Sequence, residues 1–244
     1  SLKNWSDRDG RHGIEQMFYT CRMDATRPSS TYVELHAHSC WSLREGASAT
    51  DELIDRALQL GYPALALTDH DNLYGAMEFA KSANERGLKP ITGAEITIGY
   101  SPSPATAGSR ESGPEGEGPT SHLTILAMDV TGYRNLCRLL SRAYQVHGTD
   151  TTLVEREWLF ELNEGLIVLS GCRDSELVRL TDPSVASSSH SAAMELATAY
   201  RAIFGDRYYI ELQHDDVYGD TERVAALASL AEQLGIETVA TNNV

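Results

Sequence analysis

The stretch ELHAHSCWSLREG, residues 34–46, decides how the rest of the chain is read. His36 and His38 stand one residue apart at the end of a short apolar run. Side chains at i and i+2 of a strand leave from the same face, so two imidazoles would emerge together where the strand meets its loop. Such a pair can grip one metal ion, but two ligands alone hold it weakly. Taken by itself, the pattern more often marks two solvated loop histidines, and the remaining residues must separate the two readings.

Outward from this stretch the chain alternates regularly. YVELHAH reads as a strand and SATDELIDRALQLG as a helix, with Ser48 as its N-cap and Gly61 just past its end. PALALTDH is the second strand, LYGAMEFAKSANERG the second helix and KPITGAEITI the third strand. SHLTILAMD follows with helix GYRNLCRLLSRAYQ, then GLIVLSG, helix SAAMELATAYRAIFG, strand RYYIELQH, helix TERVAALASLAEQLG and strand IETVATNN. This alternation predicts an α/β fold with a parallel sheet, and seven strands favour a closed or nearly closed (β/α) barrel over an open doubly wound sheet. Residues 1–30 lack periodicity and are read as a mobile N-terminal extension or an expression remnant, which leaves 31–244 as the domain. Residues 99–121, rich in Gly, Pro and Ser, and 181–191 interrupt the pattern as expected mobile loops.

Composition narrows the function. A chain of 244 residues with 41% hydrophobic residues can bury a full core. No apolar run approaches the roughly 18–20 residues of a membrane span, and the N-terminus lacks a basic-then-apolar signal, so a cytoplasmic location with no membrane partner is expected. Cys21, Cys40, Cys137 and Cys172 are too scattered for a disulfide framework or a C-x-x-C metal motif. A net charge of -15 argues against nucleic-acid binding through a general positive surface. It does not exclude a nucleic-acid substrate, because bound divalent ions reverse the local field.

In parallel barrels the chemistry collects at the C-terminal ends of the strands. Those ends carry His36 and His38, Asp69 and His70, Glu95 inside the apolar ITGAEITI, Cys172, His214, and Asn242 with Asn243. His122 opens the fourth strand instead, at the wrong end or at an early edge of the barrel mouth. Singly, His70 could cap a helix, Glu95 could be half of a buried ion pair, Cys172 a small core residue, and His122 and His214 strand-edge histidines. A lone buried carboxylate is costly enough to demand a cation. Imidazoles, a carboxylate and a thiol at successive strand ends form the donor set expected for zinc, iron or manganese.

ELHAHS, LALTDHD, ITGAEI, HLTILA, LSGC and VATNNV, in this order, resemble the polymerase and histidinol phosphatase (PHP) family. HAHSCWSLREGAS, LYGAMEFAKSANERGLKPITGAE and YRNLCRLLSRA are most similar to the N-terminal domain of bacterial replicative DNA polymerase III alpha subunits, above all the error-prone branch. The resemblance implies a distorted seven-stranded, TIM-like barrel with one to three divalent metal sites (Zn, Mn or Fe). It implies that His36 and His38 ligate one metal, that Glu95 bridges it to a second held by His122 and Cys172, and that His70 belongs to a third. The family's loop ligand falls on Glu45. An Asp near the end of the last strand falls on Asn243, a neutral and weaker ligand, and the sequence reaches only Val244 where a further His would follow. One or two bound metals are therefore expected.

The implied chemistry is phosphate-ester hydrolysis, with Glu95 setting the metal spacing, His70 assisting the leaving group and Asp69 orienting a neighbouring ligand. Arg173 could pair with phosphate. The implied form is a metal-dependent phosphoesterase domain of a DNA polymerase, with 3′→5′ exonuclease proofreading, whose partners are DNA and the other polymerase domains. A catalytically inactive metal-binding scaffold and an independent phosphatase for small phosphomonoesters are the alternatives.

Overall fold

The computed structural model of the chain describes residues 32–99, 120–148, 152–182 and 188–244. The predicted extension 1–30, Cys21 and most of the two predicted loops lie outside the described residues. Seven strands are assigned: β1 (Ala64–Leu67), β2 (Lys89–Gly99), β3 (Thr120–Ala127), β4 (Val154–Glu155), β5 (Leu166–Leu169), β6 (Tyr208–Gln213) and β7 (Thr238–Thr241). The helices are α1 (Thr50–Gln59), α2 (Ala76–Glu85), α3 (Val130–His147), α4 (Arg156–Glu161), α5 (Glu176–Thr181), α6 (Ser188–Phe204) and α7 (Asp220–Leu234). The strand order is β1-β2-β3-β5-β6-β7, with the two-residue β4 attached to β2. β4, α4 and α5 are too short to carry a periodic signal in the sequence.

The predicted first strand is an extended segment rather than a regular strand, because only isolated backbone contacts hold it. Glu34 bridges Leu65 in parallel, and the Ala66 and Thr68 N–H groups donate to the carbonyls of Glu34 and Ala37. On the other side, Val244 donates to the His36 carbonyl and His38 donates to the Val244 carbonyl. The segment thus lies between β1 and the chain after β7, and it draws the curled sheet into a distorted barrel.

The expectation of an all-parallel sheet requires correction. β1–β2, β5–β6 and β6–β7 are parallel, but β3 runs antiparallel to both β2 and β5. A strand that runs backwards begins where its neighbours end. His122 therefore stands at the same rim as the C-terminal ends of the other strands, which resolves its apparent misplacement.

Three apolar clusters support this frame. The largest packs β2, β3, β5 and β6 against α3 and α5–α7, with Phe204, Leu136, Ile96 and Ile125 fully buried. A second packs α1 and α2 against β1 around Ile54 and Phe79. The third joins Ile91, Leu126, Ile167, Leu169 and Val239. Ile91 shares its face of β2 with Glu95, and Leu126 shares its face of β3 with Thr124 and His122, because side chains alternate along a strand. This cluster is the floor on which the polar residues stand.

Helix ends follow local chemistry. Ala49, not the predicted Ser48, caps α1, and Glu52 reaches back to accept from the Ala49 N–H at 2.8 Å. Asp129 caps α3 by accepting from the Gly132 N–H at 2.9 Å. Gly235 closes α7 at φ 62, the left-handed conformation glycine adopts without cost. Among the described residues no helix is long and apolar enough to cross a membrane.

Candidate metal centre

Glu95 occupies the middle of β2, opposite Thr124 of β3 and bridged to His70 beyond the end of β1. It is 2% exposed and is surrounded by imidazoles. Its Oε1 lies 3.3 Å from His36 Nε2 and 3.5 Å from His122 Nδ1, and its Oε2 lies 3.4 Å from His38 Nε2 and 3.7 Å from His70 Nδ1. Burial works to raise its pKa, but His122 and His36 hold it well below the usual carboxylate range. The carboxylate is therefore ionised, deep in the barrel, with no lysine or arginine against it among its described ion pairs.

The residues fit a cation. His36 Nε2, His38 Nε2 and Glu95 Oε1 are buried without a hydrogen-bond partner, a costly state for polar atoms unless something else satisfies them. Two ligand atoms each about 2.0–2.2 Å from one ion stand roughly 3–3.5 Å apart at tetrahedral or octahedral angles, which matches the separations around Glu95. Among the described residues three groups of histidine, cysteine and carboxylate side chains have their ligand atoms within 4.8 Å of one another: His36, His38 and Glu95; His70, Glu95 and His122; His122, Cys172 and Asp174. Glu95 is common to the first two and His122 to the last two.

Each histidine is oriented by its other contacts. His36 is fully buried, with Nδ1 2.7 Å from Glu211 Oε1 and 3.0 Å from Thr124 Oγ1. Burial would lower its pKa, but the Glu211 and Glu95 carboxylates prevail and push it up to about 10. Burial lowers the pKa of His38, whose Nδ1 lies 3.7 Å from Glu45 Oε2. His70 Nδ1 lies 2.7 Å from Glu45 Oε2, and its Nε2 lies 2.9 Å from Thr97 Oγ1 and 3.4 Å from Asp71 Oδ2. Burial opposes protonation of His70, but Glu45, Asp71 and Glu95 push its pKa up to about 9. His122 pairs with Thr97 across β2–β3, and its Nδ1 lies 3.6 Å from the Cys172 sulfur. Burial, with Glu95 nearby, pushes the Cys172 thiol up.

The structure therefore brings His36, His38, Glu45, His70, Glu95, His122 and Cys172 to one rim. Asp69 faces away from this cluster. It accepts from the Ser39 N–H at 2.7 Å, from Ser39 Oγ and from Ser42 Oγ at 2.8 Å, so it anchors the loop that delivers Glu45. The Arg173 guanidinium lies 3.1 Å from Asp220 and 3.8 Å from Asp215. Asn243 is exposed at φ 51. His214, also exposed, pairs with Asp216 and Thr221.

Sequence reasoning passed over Glu211, Asp71 and Asp174. Glu211 had a readable signal: a single carboxylate in the apolar run YYIELQ, the same pattern that singled out Glu95. Asp71 accepts from the Thr97 N–H at 2.6 Å and Thr97 Oγ1 at 2.7 Å, a contact between segments that no local pattern encodes. Asp174 follows Cys172 in a loop and becomes a neighbour of His122 only through the reversal of β3.

A rim of imidazoles and carboxylates around one buried glutamate can bind one or more divalent ions and present them to an oxyanion at the open face. The chain is 37% identical over 214 residues to the DNA polymerase III subunit alpha of Escherichia coli strain K12, a match covering 87% of this chain and 17% of that protein. It is 39% identical over 215 residues to an error-prone DNA polymerase of Mycobacterium bovis, covering 87% of this chain and 19% of that one. The chain thus spans less than a fifth of the length of these curated relatives. Among solved structures it resembles a protein described as a metal-dependent phosphoesterase from Bifidobacterium adolescentis, with a TM-score of 0.52, 13% identity and coverage of 89% of this chain and 88% of that one. A second neighbour, an amidohydrolase from Chromobacterium violaceum, gives a TM-score of 0.50 at 17% identity, with 86% of each chain covered. These two likenesses concern the fold. The PHP domain model matches residues 34–215, the span from the first histidine pair to the loop after β6, and with that match the chain belongs to the PHP domain family.

Proposed function

We propose that this chain is a metal-dependent phosphoesterase domain of a bacterial polymerase of the DNA polymerase III alpha type, acting on phosphodiesters at a nucleic-acid 3′ end. The observation that carries this reading is the buried Glu95 carboxyl group, enclosed by His36, His38, His70 and His122, with His36 Nε2, His38 Nε2 and Glu95 Oε1 buried and unpartnered. His36, His38 and Glu95 would hold one divalent ion, and His122 and Cys172, with Glu95, a second; His70 and Glu45 are the candidates for a third. Bound ions of this kind supply Lewis-acid activation of water and charge neutralisation at phosphorus. Glu95 keeps the two groups of ligands at a fixed separation. As an alternative to ligating a third ion, His70, held by Glu45 and Thr97, is the candidate for giving a proton to the leaving oxygen. DNA and the remaining polymerase domains are the proposed partners, in keeping with the small share of each relative that the chain spans.

A second reading, a structural metal-binding scaffold within the polymerase, is favoured by two observations. Asn243 is neutral and exposed, and both ring nitrogens of His70 are already engaged by protein groups. One experiment separates the two. Metal content is measured on protein purified without chelators, and hydrolysis of 5′-labelled single-stranded DNA and of a generic phosphodiester is followed in Mn²⁺ or Zn²⁺. Turnover that Glu95→Gln abolishes supports the phosphoesterase. Bound metal without turnover on either substrate sinks it and leaves the scaffold.

A further inference from the structure

We propose that Glu211 is a positioning residue for the candidate metal centre: it holds His36 Nδ1–H so that Nε2 faces Glu95, and it places a second negative charge behind the ligand shell. This rests on the metal-centre reading above and extends it to a residue outside the ligand set. Glu211 lies on β6, fully enclosed, and its carboxylate faces four side-chain donors. Oε1 is 2.7 Å from His36 Nδ1, 2.6 Å from Thr241 Oγ1 and 3.0 Å from Gln213 Nε2, while Oε2 is 3.3 Å from Thr124 Oγ1. Its own backbone N–H donates to Ser170 Oγ at 3.0 Å.

These contacts decide the tautomer. A carboxylate accepts only, and Glu211 Oε1 at 2.7 Å is closer to Nδ1 than the Gln213 amide nitrogen at 3.2 Å, whose N–H groups have acceptors in Glu211 Oε1 and Thr241 Oγ1. An unprotonated Nδ1 would set a lone pair against the Glu211 charge, so Nδ1 carries the proton. The free lone pair of a neutral His36 is then on Nε2, the atom 3.3 Å from Glu95 Oε1 that has no hydrogen-bond partner. A carboxylate on the far nitrogen of a metal-binding histidine fixes the ring and raises its basicity.

The charge count supports the same role. His36, His38 and Glu95 offer one negative charge to a divalent ion, and Asn243, on the segment where the family resemblance places an aspartate, adds none. Glu211 brings a second carboxylate into the same interior without entering the shell. Gln213 and Thr241 complete the arrangement from β6 and β7. The orientation of His36, on the segment that closes the barrel, is therefore set by strands from the opposite end of the chain.

The test uses the 244-residue chain with Zn²⁺ as the probe, comparing the wild type with Glu211→Gln and Glu211→Ala. Zn²⁺ affinity is read by competition with a chromophoric chelator. Proton–nitrogen correlation spectra follow the His36 ring N–H, assigned by its loss in His36→Gln, and circular dichroism and Tm confirm folding. The expected result is a Kd raised about 10- to 100-fold in Glu211→Ala and raised less in Glu211→Gln, which keeps an acceptor but no charge. The wild type should show an exchange-protected, downfield ring N–H signal that moves upfield in Glu211→Gln and is lost in Glu211→Ala. Glu211→Gln is close to isosteric and keeps the test open if Glu211→Ala does not fold. Unchanged Zn²⁺ affinity and an unchanged ring signal in a folded Glu211→Gln would overturn this proposal alone. Failure of the wild type to bind Zn²⁺, Mn²⁺ or Fe²⁺ would overturn the metal-centre reading and this proposal with it.

Discussion

Gly171 lies so close to His122 that a β-carbon on it would stand 2.1 Å from the His122 carbonyl oxygen and 3.0 Å from Ser175 Cβ. Its φ of +90 is also one that side-chain-bearing residues rarely adopt. The turn that delivers Cys172 is thereby pressed against the start of β3, which delivers His122. Gly171→Ala should destabilise the protein by about 2–4 kcal/mol, since the clash is with backbone and cannot relax by a rotamer change. Chemical denaturation measures the loss. A stability within experimental error of the wild type would show that the two segments are not held this tightly.

Removal of bound metal should lower stability as well as any activity. His36 Nε2, His38 Nε2 and Glu95 Oε1 are buried without a hydrogen-bond partner, and an ion between them would satisfy all three. A ligand at 100 times its Kd stabilises the native state by about 2.7 kcal/mol, equivalent to roughly 5–10 °C in Tm for a chain of this size. A chelator titration followed by calorimetry, with Zn²⁺ or Mn²⁺ added back, checks this. An unchanged Tm on complete metal removal would mean that the centre does not tie down the fold.

The chelated chain should also lose stability as pH rises. His36 and His70 are pushed up to about 10 and about 9 in the folded protein, against about 6.5 when unfolded. A raised histidine pKa contributes stability that is complete below about 6.5 and disappears as pH climbs through the folded value. Melts of the metal-free chain should therefore fall between pH 7 and pH 9. His38 is shifted the other way, so acidification below pH 6 should cost stability too. The metal-loaded chain should show a flatter alkaline limb, because an ion then takes the place of the His36 Nε2 proton. A metal-free melting temperature that rises steadily from pH 7 to pH 9 contradicts the assignment.

Asp69→Ala should act on the fold before it acts on chemistry. The substitution strands the Ser39 N–H and the Ser39 and Ser42 hydroxyls, all buried. A cost on the order of 3 kcal/mol is expected, together with weaker docking of Glu45 on His70. Zn²⁺ held by His36, His38 and Glu95 should persist. If hydrolysis were lost with stability unchanged, Asp69 would have a direct chemical role instead of the anchoring one its contacts describe.

Much of this was legible because alternating strands and amphipathic helices leave periodic traces. The ligand residues were found through their oddity: ionisable groups in apolar runs or at the ends of such runs. The direction of β3 left no trace, since a strand reads the same whichever way it runs, and His122 consequently looked misplaced. Ser39 and Ser42 gave no warning of Asp69's role, because that contact spans about thirty residues. Glu211 could have been found by the reasoning applied to Glu95, but the residue that gives it a role, His36, is 175 residues away.

The ladder between β2 and β3 has a consequence for how such a domain can diversify. Glu95 and His122 belong to one paired ribbon running from Gly93↔Leu126 to Gly99↔Thr120. Their separation is fixed by that register, not by the number of residues joining Gly99 to Thr120. A change in the length of this connector leaves the register, and with it the spacing of Glu95 and His122, where the interlocked teeth of the two strands set it.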